Sequence, residues 1–168
     1  YVFGITCFLY RFADVVCVQT NDMRSFYPHY LQENRVVLET PLDFDEMAAQ
    51  CKGQNIEKEN TVISVGRLEK QKDFVTLIKA YKKVAALYPD WKLKIYGQGN
   101  RKDELQGLIE RENLTTNIRL CGVTHTPFLE MKKARIFVLS SFYEGFPNVL
   151  CEAMHAGLPC ISTKCECG

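Results

Sequence analysis

The stretch Ile136-Phe137-Val138-Leu139-Ser140-Ser141-Phe142-Tyr143-Glu144-Gly145-Phe146-Pro147-Asn148-Val149-Leu150-Cys151-Glu152-Ala153-Met154-His155-Ala156-Gly157 decides how this chain is read. Its first four residues are a continuous apolar run, the pattern of a strand buried on both faces. Gly145 marks a turn, and Pro147 suits a first helical turn, where its missing N–H costs nothing. The helix then runs from Asn148 to Ala156 and stops at Gly157, with Pro159 as a second stop signal. The order is strand, polar loop, helix N-terminus. Glu144 falls in the loop at the strand's carboxyl end, and Glu152 one to two turns into the helix. Free backbone N–H groups at a helix start favour anions. Carboxylates on either side of such a site make sense if each accepts hydrogen bonds from hydroxyls, a combination that suits a sugar diphosphate.

Working outward, the same unit recurs from Thr61 onward. Val62 to Val65, Leu93 to Tyr96, Ile118 to Cys121, Ile136 to Leu139 and Leu158 to Thr163 read as strands. The first is followed by a helix that Asp73 caps, with Phe74, Leu77, Ile78, Tyr81, Val84 and Leu87 or Tyr88 at helical spacing. A second helix opens at Gly97-Gln98-Gly99 and carries Leu105, Leu108 and Ile109; a third starts at Pro127 with Phe128, Met131 and Ala134. Five strands alternating with helices predict an α/β fold, a doubly wound parallel sheet of Rossmann-like type. Before it, Tyr1 to Phe12 reads as a buried helix and Ala13 to Thr20 as a short strand; a polar segment and Arg35 to Asp43 follow. Three regions result: 1–43 as the end of a preceding domain, 44–60 as a polar linker without periodicity, and 61–168 as the main domain.

In such sheets ligands bind at the carboxyl ends of the strands. That rule gathers Gly66, Arg67 and Lys72 from the first loop, Gly97 and Gly99 from the second, Gly122 to Thr126 from the third, and Glu144 to Asn148 from the fourth. Two cations, glycine turns and two carboxylates would share one rim. Gly97-Gln98-Gly99-Asn100-Arg101-Lys102 is not a dinucleotide fingerprint, because Lys102 stands where a third glycine belongs and the motif follows the second strand. It reads as a tight turn that lets backbone approach a ligand. No Walker sequence occurs, which excludes phosphoryl transfer of the P-loop kind.

Composition narrows the classes further. The net charge is +1, so bulk electrostatics point to no nucleic-acid partner. Hydrophobic residues make up 46% of 168, enough for a full core. The eight cysteines are scattered, several inside apolar patterns, and read as buried reduced thiols. Cys165-Glu166-Cys167 lacks the second pair or nearby histidine of a zinc site, so no metal is expected. The apolar residues 1–10 are too few to span a bilayer and carry no basic leader. The chain starts without Met and ends on Gly168 in mid-pattern, as expected of part of a longer protein.

Glu144-Gly145-Phe146-Pro147-Asn148-Val149-Leu150-Cys151-Glu152-Ala153-Met154 resembles the E-x7-E signature of retaining glycosyltransferases of the two-domain GT-B fold, closest to family 4. Arg11-Phe12-Ala13-Asp14 and Thr40-Pro41-Leu42-Asp43 resemble the marks that close the acceptor domain of that family, with Thr40 where Asn is usual. Gly66-Arg67-Leu68 followed by Lys72 resembles its Gly-Arg-Leu…Lys element. The resemblance covers 11–168 and is densest over 62–163. It implies a catalytic set of Glu144, Arg67 and Lys72. Arg67 and Lys72 would hold the donor diphosphate, one in bidentate fashion and one as a point charge. Glu152 would accept from ribose hydroxyls, Glu144 would contact the transferred sugar, and backbone at Gly145, Phe146, Pro147, Asn148 and Val149 would support sugar and phosphate. Gly66, Gly97, Gly99 and Val123 would line the donor site, and His125 is either a base-side contact or merely a loop residue.

The resemblance further implies a nucleotide-diphosphate sugar as co-substrate, UDP-sugar in preference to GDP-sugar, with no cofactor and no metal. Expected partners are that donor and a glycan or lipid-linked acceptor, with no nucleic acid; the setting would be bacterial surface polysaccharide or glycolipid assembly. The expected location is the cytoplasm, with peripheral contact at the inner face of the plasma membrane through the rest of the N-terminal domain. The family continues past Gly168 with closing helices, so 61–168 reads as a truncated donor domain that binds donor without necessarily turning over. The rival reading is a non-catalytic nucleotide-sugar-binding module or subunit of a transferase complex; a sugar-nucleotide epimerase on the same fold is a weaker third.

Overall fold

The computed structural model describes residues 8–26, 35–38 and 40–165. They fall into two compact units. The first takes in Tyr1–Pro41, Tyr143–Pro147 and Cys165–Gly168, the second Leu42–Phe142 and Asn148–Lys164.

In the first unit β1 (Val16–Val18) and β2 (Arg35–Val37) run parallel, in register from Val16 opposite Arg35 to Val18 opposite Val37. The helix between them, α1 (Asn21–Phe26), starts where the Thr20 hydroxyl accepts from the Met23 N–H at 3.1 Å, a cap that satisfies one orphan donor. The helix expected over 1–12 lies largely outside the described residues; Phe8 to Tyr10 are helical.

The second unit opens with α2 (Phe44–Cys51), capped by the Asp43 carboxylate accepting from the Glu46 N–H at 2.8 Å. This helix lies inside the segment read as a structureless linker. Only Met47 of α2 is buried, so the run has no apolar periodicity to announce it. Cap and acidic first turn make the helix instead.

From there strand and helix alternate: β3 (Thr61–Val65), α3 (Phe74–Leu87), β4 (Lys92–Tyr96), α4 (Lys102–Arg111), β5 (Ile118–Gly122), α5 (Pro127–Lys133), β6 (Ile136–Leu139), α6 (Asn148–His155) and β7 (Cys160–Ser162). The five strands form one sheet in the order β5-β4-β3-β6-β7, every pair parallel. The doubly wound parallel sheet read from the sequence is the fold observed.

Side-chain alternation splits the core between the two faces of the sheet. On one face Val62, Leu93 and Ile95 meet Phe74, Leu77, Ile78 and Tyr81 of α3 and Leu105, Leu108 and Ile109 of α4. On the other Ile63, Phe137 and Leu139 meet Met47 of α2, Phe128 and Met131 of α5, and Ala153 and Ala156 of α6. Each fully buried aliphatic or aromatic side chain contributes roughly 1.5–3 kcal/mol, so these faces dominate the stability of the unit. The one buried polar side chain of β3's interior, Ser64, donates to the Val138 carbonyl at 2.7 Å, which joins β3 to β6 without an orphan group.

The α3 face is incompletely covered. Leu77, Ala80, Tyr81 and Val84 of α3, with Tyr88 and Trp91 beyond it, wall a groove of about 510 Å³ whose floor includes Ile136 and Val138. Ile161 of β7 stands at its side, well exposed. Burial pushes the Tyr81 hydroxyl up to about 12, and that hydroxyl has no hydrogen-bond partner.

The described cysteines are free thiols, as expected, but none is fully buried: Cys17 is exposed and Cys51, Cys121, Cys151, Cys160 and Cys165 are intermediate. Cys17 sits at the middle of a three-residue strand whose neighbours Val16 and Val18 take the inward face. A period of two leaves it outside.

Candidate functional site

Parallel pairing of β3, β4 and β5 brings three loops to one edge of the sheet. The hydrogen-bond ladder continues past the strands: Gly66 N donates to the Tyr96 carbonyl at 2.9 Å, Leu68 N to the Gln98 carbonyl at 2.9 Å, and Gly97 N to the Gly122 carbonyl at 2.8 Å. Arg101 N then returns to the Leu68 carbonyl at 3.1 Å. Backbones this close leave no room for side chains. A Cβ on Gly97, whose φ is +144°, would lie 1.9 Å from the Gly66 carbonyl oxygen, and one on Gly99 would lie 2.4 Å from that of Leu68. Gly97 and Gly99 are therefore structural necessities of the rim.

Gly66 also shapes a side chain. Its ideal Cβ would meet Lys72 Cε at 3.2 Å and Cδ at 3.3 Å, so the lysine stem lies across the glycine. The Lys72 carbonyl accepts from the Ser140 hydroxyl at 2.7 Å, and Phe142 N donates to the Gln71 carbonyl at 2.9 Å. These bonds fasten the turn Lys70–Lys72 to the end of β6. The next residue, Asp73, is buried in a left-handed conformation at φ 42°, one that aspartate tolerates better than most side chains. Its carboxylate caps α3 by accepting from Thr76 N at 3.3 Å, as the sequence predicts. Arg67 is exposed and shares an ion pair with Glu69 at 3.4 Å. In water such a pair is worth little and leaves the guanidinium available to an anion.

The three loops enclose a pocket of about 250 Å³ lined by Val65, Gly66, Arg67, Tyr96, Gly97, Gln98, Val123, Thr124 and Pro127. Of the residues expected there, Val123 lines it and His125 does not; His125 is exposed. Thr124 belongs to the Gly122-to-Thr126 loop expected there, whereas Tyr96, Gln98 and Pro127 carry no motif that marks them as site residues in the sequence. Their only signal is position, next to Gly97 or at the start of α5.

On α6, Glu152 is half-buried, and burial pushes its carboxyl above the ordinary value. Asn148 opens the helix with its side-chain oxygen buried and without a hydrogen-bond partner. A buried acceptor in that state is costly until a donor reaches it. Val149, the second residue of α6, packs its side chain against the core shared with α5. Glu144, Gly145, Phe146 and Pro147 belong to the first compact unit. There Glu144 is buried, and a Cβ on Gly145 would lie 2.8 Å from the side-chain oxygen of Gln19 and 3.6 Å from Met23 Sδ. Gln19 in turn donates to the Thr40 hydroxyl at 2.7 Å.

A five-stranded parallel sheet flanked by helices on both faces is a Rossmann-like fold of the kind that GT-B glycosyltransferases share. The chain belongs to the glycosyl transferases group 1 family, whose model matches residues 47–168. It is 34% identical over 171 residues to an uncharacterized glycosyltransferase of Methanocaldococcus jannaschii, covering 96% of this chain and 42% of that protein. It is 35% identical over 132 residues to the N-acetylgalactosamine-N,N'-diacetylbacillosaminyl-diphospho-undecaprenol 4-alpha-N-acetylgalactosaminyltransferase of Campylobacter jejuni, covering 79% of this chain and 35% of that one. Among solved structures, a point mutant of S. aureus TarM in complex with Fondaparinux, alpha-GlcNAc-glycerol and UDP matches with a TM-score of 0.79 at 25% identity, over 91% of this chain and 30% of that one. The chain thus spans less than half the length of these relatives. No helix among the described residues is long and apolar enough to cross a membrane.

Proposed function

We propose that this chain is the donor-binding part of a retaining family 4 glycosyltransferase, acting on a nucleotide-diphosphate sugar, UDP-sugar before GDP-sugar. The observation that carries the reading is the rim itself: three interlocked glycine loops beside a pocket, with Lys72 laid across Gly66 and Arg67 at the pocket wall. In this reading Arg67 and Lys72 hold the diphosphate and stabilise charge that grows on it as the sugar leaves. Glu152 accepts from the ribose, and the unpartnered Asn148 oxygen takes a donor hydroxyl. Glu144 contacts the transferred sugar. The leaving phosphate helps deprotonate the acceptor on the same face, so no enzymic nucleophile is needed. With cations supplied by the protein, turnover needs no metal and survives chelator. The acceptor is a glycan or lipid-linked glycan of surface polysaccharide or glycolipid assembly, met in the cytoplasm or at the membrane's inner face.

Calorimetry with UDP, GDP and their sugars tests donor binding on this chain. With the full-length protein, the anomeric configuration of the product tests retention. Binding of no nucleotide diphosphate, an inverted product, or activity abolished by chelator and restored by manganese each overturns its part of the reading.

A further inference from the structure

Two walls of the 250 Å³ pocket come from different crossovers: the Gly97–Gln98 turn after β4 and the Val123–Pro127 segment ahead of α5. Where they start, Gly97 N donates to the Gly122 carbonyl at 2.8 Å, and farther out one side chain joins them. Tyr96, the last residue of β4, lines the pocket, and its ring is buried on the α5 side of the sheet. Its hydroxyl donates to Glu130 Oε2 at 2.6 Å, and Glu130 Oε1 accepts from Lys133 Nζ at 2.8 Å. Glu130 and Lys133 lie on α5, the helix that begins at the pocket residue Pro127. A charge-assisted bond of this length, partly withdrawn from water, is among the stronger kinds a side chain makes.

The geometry points to Tyr96 and Glu130 as positioning residues for nucleotide binding: a half-buried clamp that holds the start of α5 against the β4 turn without Glu130 touching the ligand. The inference rests on the donor-site reading above. Loss of the clamp leaves both elements folded, because each has its own core contacts, Tyr96 through its ring and α5 through Phe128 and Met131. What it frees is the placement of the first turn of α5, with Pro127, against the Gly97–Gln98 turn. The near end of that turn stays tied by Gly97 N to the Gly122 carbonyl at 2.8 Å. A ligand then spends binding energy to restore the placement.

The test is a double-mutant cycle read by calorimetry with UDP, alongside thermal unfolding. Tyr96→Phe and Glu130→Ala are each expected to weaken UDP binding about tenfold, through the ordering the ligand must then supply. The double variant should be no weaker than the weaker single, because both remove the same bond. Glu130→Gln keeps an acceptor for the tyrosine and should stay within about twofold of the parent. Undiminished UDP affinity in Tyr96→Phe with a lowered Tm makes the bond purely structural and overturns the inference, as do additive losses. A parent chain that binds no nucleotide diphosphate overturns the donor-site reading instead, and the two failures are thereby told apart.

Discussion

A methyl group on Gly97 would stand 1.9 Å from the carbonyl oxygen of Gly66, inside any permitted contact and against backbone that cannot turn aside. The two glycines belong to different loops, and the backbone of one fixes what the other can be. Gly97→Ala should therefore break the rim: UDP binding lost and Tm lowered. Gly122→Ala is the control. Its φ is +74° but nothing lies within 4 Å of its added carbon, so the cost is about 1–2 kcal/mol of backbone strain with affinity kept. Equal effects of the two changes would show that space at Gly97 is not the constraint.

Arg67 and Lys72 should separate by ligand. Alanine at either position is expected to weaken binding of nucleotide diphosphates by about 1.5–3 kcal/mol, the range for hydrogen bonds to charged groups. Uridine, which lacks phosphates, should lose almost nothing. Calorimetry on both ligands checks this, and equal losses would remove the pair from the diphosphate.

Glu152 offers a trade between stability and binding. Burial raises its carboxyl above the ordinary range. Below the unfolded-state value both states hold the proton and nothing is lost. As pH rises through the raised folded value, the folded chain must keep a charge it has desolvated, and stability falls. Glu152→Gln should thus raise Tm at neutral pH, with the gain fading in acid. The same change should weaken UDP and UDP-sugar alike, by about tenfold for one charged hydrogen bond. Thermal unfolding across pH and calorimetry decide; a variant that melts lower at neutral pH contradicts the sign.

Glu144 is assigned to the sugar whose charge and geometry change during transfer. In the full-length protein Glu144→Gln should cut turnover on the order of 100-fold, about 2.7 kcal/mol, and leave UDP affinity nearly unmoved. Kept turnover with lost nucleotide affinity would exchange the roles of the two glutamates.

Most of the fold was legible because a parallel sheet buried on both faces writes its strands as unbroken apolar runs. Ile136 to Leu139 needed no other signal, and Val62 to Val65 is interrupted only by Ser64. The turn at Gly97 and Gly99 was legible because only tight backbone approach calls for two glycines so close together. Helix α2 was not, because its formation rests on the Asp43 cap rather than on periodicity. The Tyr96–Glu130 bond joins residues 34 apart in sequence, a pairing that exists only after the crossover has folded. Likewise Glu144 groups with β1 and α1 through contacts such as Gly145 beside Gln19. Sequence adjacency to β6 argues the other way.

The apolar groove beside α3 bears on how this protein can be watched in solution. Trp91, the chain's one tryptophan, lines that groove just before β4. The candidate pocket lies at the strand's other end, about 17 Å away for a strand of this length. Its fluorescence therefore reports the state of the groove and not, directly, the arrival of a nucleotide. The same exposed surface would take up environment-sensitive dyes in the native state, giving melts a high starting signal. Heat of binding and ligand-observed resonance are the faithful probes here.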